Sequence, residues 1–283
     1  MDRSEIAKKL KERKAAKDVL VAVHRGCSGG NIIENTIPAF EIALKYGGDI
    51  IEMDASKSTD GELYTIHDGQ EQRLFFSKHN VQTLASEEID RLSYRNRNSF
   101  EVKQKVQKLE TVLSHFKGDT LINLDRAWNF WDDVYELLAK LSMFDQVILK
   151  SPVTDACLEM LEQYEVPVMY IPIVKKESEL HRVLSRNIHT VAVEVIIGSE
   201  QSEFYNLEVV RELKKRNILV WLNAIRLNDK TTLTLGNDDD TSLLKNEDEG
   251  WGRLMDMGAD IIQTDWPLQL SCYLQKRKVV STR

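Results

Sequence analysis

The chain has 283 residues, a length typical of one α/β barrel, which needs about 250. Hydrophobic residues make up 42% of it, enough for a core, and the formal net charge is -7 at pH 7. This acidic balance argues against nucleic acid or an anionic membrane as partner, because both are bound by clustered Lys and Arg. The three cysteines are far apart and odd in number, which argues against a disulfide framework and predicts a reducing, cytoplasmic location.

The N-terminal stretch, MDRSEIAKKLKERKAAKD, is charged and amphipathic and contains no long apolar run. The first apolar run, VLVAV, is followed at once by His24. It is too short for a signal peptide or a membrane span, so it predicts a β-strand and no stable membrane insertion.

Short apolar runs alternate with stretches of helical spacing along the whole chain. The runs are Val19–Val23, Asp49–Met53, Leu121–Leu124, Val147–Leu149, Val168–Ile171, Val191–Val195, Leu219–Leu222 and Ile261–Gln263. The helical stretches include Thr36–Tyr46, Trp128–Leu141, Asp155–Tyr164, Lys176–Ser185 and Glu203–Arg216. Near-continuous apolar runs suit parallel strands that are buried on both faces. Eight such units predict a single (β/α)₈ TIM barrel over residues 1–283, with a doubly wound sheet as the alternative.

Two long stretches interrupt this alternation. Residues 69–108 form a small insertion after the second strand, and residues 226–250 form a long loop after the seventh. Both follow strand ends, so both are expected to rise over the C-terminal face as lids or substrate walls. The acidic run Asp238–Asp240 lacks the spacing of a calcium loop and is predicted to be solvated surface.

The second strand carries two carboxylates, Glu52 and Asp54. Residues two apart on a strand face the same way, so these side chains repel each other unless a positive group lies between them. A hard divalent cation with oxygen ligands is the favoured partner, and an ion pair with Arg25 is the alternative.

Two histidines lie near these carboxylates in sequence. His24 follows the first strand, and His67 follows the short extended run Glu62–Ile66. A pair of imidazoles can divide acid–base catalysis, one deprotonating a nucleophile and the other protonating a leaving oxygen. The remaining histidines, His79, His115, His181 and His189, have no such neighbours and are predicted to be surface or packing residues.

Arg25 presents a planar fork of donors suited to phosphate oxygens. Trp221 and Lys150, at the ends of the seventh and fourth strands, are assigned with it to the substrate site. The glycine-rich loop 26–30 brings backbone N–H groups within reach of an anion or is only a flexible connection.

The order and spacing of these residues resemble the glycerophosphodiester phosphodiesterase family. The match is carried by His24-Arg25-Gly26, Glu34-Asn35-Thr36, Gly48-Asp49, Glu52-x-Asp54, Thr59-x-Gly61 and His67-Asp68. A weaker match continues through residues 109–113 and Val220-Trp221 to the segment 258–267, GADIIQTDWP.

This resemblance implies a barrel with a small insertion and one Mg²⁺ or Ca²⁺ held by Glu52, Asp54 and Asp125. It also implies that His24 and His67 are the acid–base pair and that Arg25 contacts the phosphate. One departure is at the end of the third strand, where the family has Glu-x-Lys and this chain has Asp125-Arg126-Ala127. Lys150 either replaces the missing cation or pairs with a carboxylate such as Asp125 or Glu194.

The leading hypothesis is a phosphoric diester hydrolase of lipid and glycerol metabolism that converts small-molecule glycerophosphodiesters to glycerol 3-phosphate and an alcohol. One alternative is a related lyase or phospholipase that stops at a cyclic phosphate. Another is a non-catalytic module that binds phosphodiesters. The sequence does not indicate the head group, the metal or the oligomeric state.

Overall fold

The computed structural model describes the backbone of residues 1–281 and the side chains of residues 1–278. Ten strands are present in this part of the chain: β1 Leu20–Val23, β2 Ile50–Lys57, β3 Leu63–Thr65, β4 Gln107–Lys108, β5 Leu121–Asp125, β6 Val147–Pro152, β7 Met169–Val174, β8 Ala192–Val195, β9 Leu219–Asn223 and β10 Ile261–Thr264.

Eight of the strands close a parallel barrel in the order β1, β2, β5, β6, β7, β8, β9 and β10, with β10 pairing back onto β1. Residues Leu20 to Val23 of β1 are all buried, as are residues Ile261 to Thr264 of β10. Burial on both faces explains why the strands read as continuous apolar runs rather than alternating ones. Each of the eight runs predicted from the sequence overlaps a barrel strand, so the predicted (β/α)₈ fold is confirmed.

Thirteen α-helices are found among residues 1–281, and most cover the outside of the barrel. They are α1 Arg3–Ile6, α2 Lys8–Ala15, α3 Ile37–Lys45, α4 Glu71–Phe75, α5 Ser86–Arg91, α6 Leu109–His115, α7 Trp131–Leu141, α8 Asp155–Gln163, α9 Glu177–Leu184, α10 Glu208–Lys215, α11 Asp239–Leu244, α12 Arg253–Asp256 and α13 Pro267–Ser281. The amphipathic α10 is typical: Val209, Val210 and Leu213 are buried, and Lys214 and Lys215 lie in its last turn. No described helix has the length and apolar character needed to cross a bilayer.

The insertion after β2 begins as an antiparallel extension of that strand. β3 pairs with β2, and the two-residue β4 pairs with β3. The insertion has its own apolar cluster, which includes Tyr64, Ile66, Leu74, Phe75, Val81, Ile89 and Tyr94. The rings of Phe75 and Tyr94 stack with their centroids 4.8 Å apart. This cluster gives the insertion a core separate from that of the barrel.

The stretch after β9 packs against the barrel instead of projecting from it. Ile197, two residues beyond β8, donates its backbone N–H to the Leu233 carbonyl and accepts from the backbone N–H of Leu235, both at 2.8 Å. Thr234 donates from its hydroxyl to the Asn223 carbonyl at 3.0 Å. The prediction that the acidic run Asp238–Asp240 is solvated was therefore wrong for two of its members. Asp239 is 2% exposed and Asp238 is 8% exposed. Asp238 caps α11 and pairs with Arg226, while Asp239 turns inward.

Candidate active site

Polar side chains gather where β1, β2 and β5 end side by side. In the parallel register, Asp54 of β2 is opposite Asp125 of β5, and Glu52 is opposite Asn123. Because the carboxyl ends of all barrel strands meet at one face, residues far apart in sequence become neighbours there.

Glu52 is almost completely buried beneath this face. Its Oε2 accepts a hydrogen bond from the backbone N–H of Arg25 at 2.9 Å. Burial, together with the nearby Asp54 carboxylate, raises the pKa of Glu52 to about 7 against the opposing charges of His24 and Lys150.

Asp54 is held by Arg25 and Asn35. Its Oδ2 lies 2.9 Å from Nε of Arg25 and accepts from the Asn35 amide at 2.9 Å. Asn35 in turn accepts from the backbone N–H of Asp54 at 3.0 Å. Arg25 also donates to Glu34 at 3.2 Å. The ion pair with Arg25, which was the alternative to a metal for these carboxylates, is therefore present at Asp54.

The backbone around these residues adopts an uncommon conformation. Arg25, Asn35 and Arg126 have φ angles of 55°, 56° and 60°, in the left-handed region that favours glycine. Gly26, with φ of 74°, follows Arg25, and a Cβ there would lie 2.7 Å from the carbonyl carbon of Ala39. Left-handed residues other than glycine are concentrated at functional sites, where surrounding contacts hold them in place.

His24 is fixed by two contacts to the end of β10. Its backbone N–H donates to the Thr264 carbonyl at 3.1 Å, and its Nδ1 lies 2.9 Å from Oδ1 of Asp265. Burial lowers the pKa of His24, but the hydrogen bond to Asp265 and the charge of Glu52 outweigh that effect, so the pKa is raised.

His67 has a different partner. Its Nδ1 lies 2.5 Å from the backbone carbonyl of Asp68. A carbonyl oxygen only accepts, so Nδ1 carries the proton. The Asp68 carboxylate accepts from Nε of Arg126 at 2.7 Å, and this arginine stacks over the Trp128 ring at 5.6 Å.

Lys150 of β6 lies between two carboxylates, that of Asp125 on the adjacent β5 and that of Glu194 on β8. Its Nζ is 2.9 Å from Asp125 and 3.2 Å from Glu194, and the residue is 2% exposed. Burial lowers the pKa of Lys150, but these carboxylates and Glu52 raise it well above its usual range. These contacts match the alternative in which Lys150 pairs with carboxylates such as Asp125 and Glu194.

Trp221 is not exposed at the mouth, contrary to its assignment to the substrate site. It is fully buried, and its Nε1 donates to Asn223 at 3.2 Å and to Gln263 at 3.1 Å. The centre of its ring lies 5.1 Å from the Lys150 ammonium, so it makes a cation–π contact with that residue. The reason is geometric: Trp221 faces into the barrel interior, one layer beneath the strand ends.

The three predicted metal ligands fit a hard divalent cation by their chemistry. Glu52, Asp54 and Asp125 are oxygen donors on the adjacent strands β2 and β5, and burial together with the Asp54 and Asp125 carboxylates raises the pKa of Glu52. The same carboxylates already accept from Arg25, Asn35 and Lys150. Within residues 1–278, no three His, Cys, Asp or Glu side chains form a ready-made set of ligands.

Sequence reasoning missed three residues that hold the predicted ones. Asn35 and Asp265 were visible only as parts of the family motifs at residues 34–36 and 258–267. Asp239 gave no usable signal, because an acidic run in a long loop is usually solvated. Its contacts with the end of β10 arise from the tertiary path of residues 226–250.

Comparison with known proteins finds relatives over most of the chain. A family model described as a domain of unknown function matches residues 166–274. An uncharacterized protein of Bacillus subtilis is 27% identical over 266 residues, which cover 90% of this chain and 98% of the relative. Human lysophospholipase D is 25% identical over 270 residues, covering 89% of this chain and 84% of the relative.

Solved structures share the fold. A glycerophosphoryl diester phosphodiesterase from Parabacteroides distasonis has a TM-score of 0.78 at 18% identity, covering 96% of this chain and 92% of that chain. A phosphodiesterase from Oleispira antarctica, solved with the product sn-glycerol-3-phosphate, has a TM-score of 0.64 at 16% identity, covering 93% and 99%.

Proposed function

We propose that this chain, which resembles the glycerophosphodiester phosphodiesterases, is a phosphoric diester hydrolase that cleaves glycerophosphodiesters. The predicted resemblance is confirmed by relatives of that name, one of which is 27% identical over 223 residues that cover 71% of this chain. The proposal includes two finer elements, metal dependence and acid–base catalysis by His24 and His67. The substrate is a small molecule, and the products are glycerol 3-phosphate and an alcohol.

The observation that carries the proposal is the different anchoring of the two imidazoles. Each ring uses Nδ1 for a hydrogen bond within the protein, to Asp265 for His24 and to the Asp68 carbonyl for His67. Each therefore keeps Nε2 for the substrate. The Asp265 carboxylate stabilises a protonated ring, which suits His24 as the acid, whereas the Asp68 carbonyl places the proton of His67 on Nδ1 and so leaves its Nε2 to act as the base.

The reaction then proceeds by two proton transfers at these nitrogens. His67 takes the proton of the glycerol 2-hydroxyl, whose oxygen attacks phosphorus. The bond from phosphorus to the alcohol oxygen breaks, and that oxygen takes the Nε2 proton of His24. Water opens the resulting cyclic phosphate, with the two histidines exchanging roles. Each proton transfer typically contributes about 10²–10⁴-fold to the rate.

Glu52, Asp54 and Asp125 would hold one Mg²⁺ or Ca²⁺. When bound, such a cation neutralises charge on the phosphoryl oxygens. Arg25 adds a guanidinium beside Asp54 and would contact a phosphate oxygen. Asp125 is shorter than the Glu of the family and is already engaged by Lys150, so it would reach the metal through water.

A second candidate substrate is a lysophospholipid, since one relative is named lysophospholipase D. Two large hydrophobic side chains on segments that follow strand ends are exposed, Phe76 at 51% and Trp266 at 45%. They offer apolar surface for an acyl chain that a deacylated diester lacks.

The test is an activity panel on metal-stripped protein with Mg²⁺, Ca²⁺ or Mn²⁺ added back. The substrates are glycerophosphocholine, glycerophosphoethanolamine and lysophosphatidylcholine, and the products are identified by phosphorus NMR. Metal-dependent release of glycerol 3-phosphate from the two glycerophosphodiesters supports the proposal, and release of lysophosphatidate from lysophosphatidylcholine supports the second candidate substrate. Accumulation of the cyclic phosphate alone indicates a lyase, and binding without turnover of any substrate indicates a non-catalytic module.

A further inference from the structure

A buried carboxylate on the loop after β9 reaches the active-site end of β10. Asp239 is the first residue of α11 and is 2% exposed. Its backbone N–H donates to the Ala224 carbonyl, just beyond β9, at 2.7 Å. An aspartate so deeply buried needs specific partners, because desolvation of a carboxylate costs several kcal/mol unless hydrogen bonds replace the water.

The Asp239 carboxylate has three such donors. Oδ1 accepts from the Trp251 indole at 2.8 Å and from the Thr264 hydroxyl at 2.7 Å. Oδ2 accepts from the backbone N–H of Asp265 at 2.9 Å. The side chain therefore ties the loop to the two residues that end β10.

Asp265 needs this support because its own side chain is 44% exposed. Its carboxylate contacts the His24 ring at 2.9 Å, and the direction in which it points is set by its backbone. The backbone N–H of Asp265 is donated to Asp239, so the buried loop carboxylate lies two contacts away from Nδ1 of His24.

We propose that Asp239 is a positioning residue for catalysis: by holding the main chain of Asp265, it keeps the Asp265 carboxylate against His24 and aims Nε2 of that ring at the leaving oxygen. This inference rests on the proposed function, in which His24 is the acid. It gives the loop of residues 226–250 a role in proton transfer in addition to its packing.

The leaving group separates this role from a merely structural one. An alkoxide leaves only when it is protonated, so the N–H bond at His24 Nε2 must break as the O–H bond of the alcohol forms. A nitrophenolate is stable as an anion and leaves without that proton. Misplacing His24 should therefore slow an alkyl diester far more than an aryl diester, whereas partial unfolding slows both equally.

The experiment measures kcat/KM on glycerophosphocholine and on glycerol 3-(4-nitrophenyl phosphate), together with thermal unfolding of each variant. Asp239→Ala should lower the alkyl rate by about 10-fold or more and the aryl rate by about 3-fold or less, which is a fraction of the full general-acid effect. Asp239→Asn leaves one of the three donors unpaired and should show the same selectivity to a smaller extent. It serves as the second variant if the alanine protein folds poorly.

The matched control is Trp251→Phe, which removes another hydrogen bond to the same carboxylate and leaves the contact to Asp265 intact. It should lower the melting temperature and leave the alkyl-to-aryl ratio unchanged. An unchanged ratio in both Asp239 variants overturns the inference, as does an equal change in the Trp251→Phe protein. His24→Ala distinguishes the two proposals: if it slows both substrates equally, His24 is not the acid and the proposed function fails first.

Discussion

At the scale of single residues, the two histidines of the mouth differ in what holds them, and the proposed mechanism requires both. His24→Ala and His67→Ala should each lower kcat by about 10²–10⁴-fold, because each removes one proton transfer. His115→Ala is the control, since His115 is 43% exposed and pairs with Glu41 on the surface. Steady-state kinetics on folded protein provide the measurement. A near-normal rate for either variant would remove that residue from the mechanism.

Lys150 is a second residue whose contacts predict a large effect. Lys150→Met leaves Asp125 and Glu194 without a cation in a buried position. We expect this change to lower the free energy of unfolding by about 3–5 kcal/mol and to reduce turnover sharply. Denaturant titration and kcat/KM measure the two effects. Lys140→Met is the control, because Lys140 is 63% exposed and such surface pairs contribute about 0–1 kcal/mol. Equal free energies of unfolding for the two variants would contradict the pairing of Lys150 with Asp125 and Glu194. A lysine at position 127, where the family has one, is disfavoured because Ala127 is fully buried.

The sequence predicts site residues where they share one face of a strand or lie at the end of a strand. Glu52 and Asp54 share a strand face, and His24 follows a strand end, so strand periodicity alone brings them to one site. Asp239 has neither signal. Its inward direction depends on donors from Trp251, from Thr264 at the end of β10 and from Asp265 just beyond it, and no spacing within residues 226–250 encodes them.

At the scale of elements, the loop after β1 depends on one glycine. Gly26→Ala should lower the free energy of unfolding by about 1–3 kcal/mol and should also lower kcat/KM. The reason is that φ is 74° and the new Cβ would meet the Ala39 backbone. The displaced loop carries Arg25 and adjoins His24. Gly29→Ala is the matched control, since nothing lies within 4 Å of a Cβ there. The two variants should differ clearly in thermal melting and in activity; equal behaviour would show that the loop tolerates the strain.

Element boundaries were predicted to within a few residues for the barrel strands and less well for the long connections. The predicted run Asp49–Met53 becomes the longer strand β2 because β3 pairs with its second half. The helical stretch Glu203–Arg216 begins only at Glu208, after a turn. In both places a tertiary contact or a turn, rather than local periodicity, sets the end of the element.

At the scale of the whole molecule, metal binding should increase the free energy of unfolding of the protein. A ligand at 100 times its Kd raises the free energy of unfolding by about 2.7 kcal/mol, so saturating Mg²⁺ or Ca²⁺ should raise the melting temperature of the wild-type protein. Glu52→Gln and Asp54→Asn should lose this response together with activity. Asp119→Asn, a change at a side chain that is 90% exposed, should keep it.

The pH dependence of the metal-free protein provides an independent check on the same cluster. Burial beside Asp54 raises the pKa of Glu52 from 4.5 to about 7, so the folded protein keeps a proton there that the unfolded chain has lost. The unfolding free energy contributed by Glu52 is therefore fully present below pH 4.5 and lost as the pH rises toward 7. A bound cation favours the ionised form and should remove this loss. Thermal melts between pH 5 and pH 8, with and without metal, should converge at low pH and separate at high pH. Parallel curves would mean that the cation binds away from Glu52.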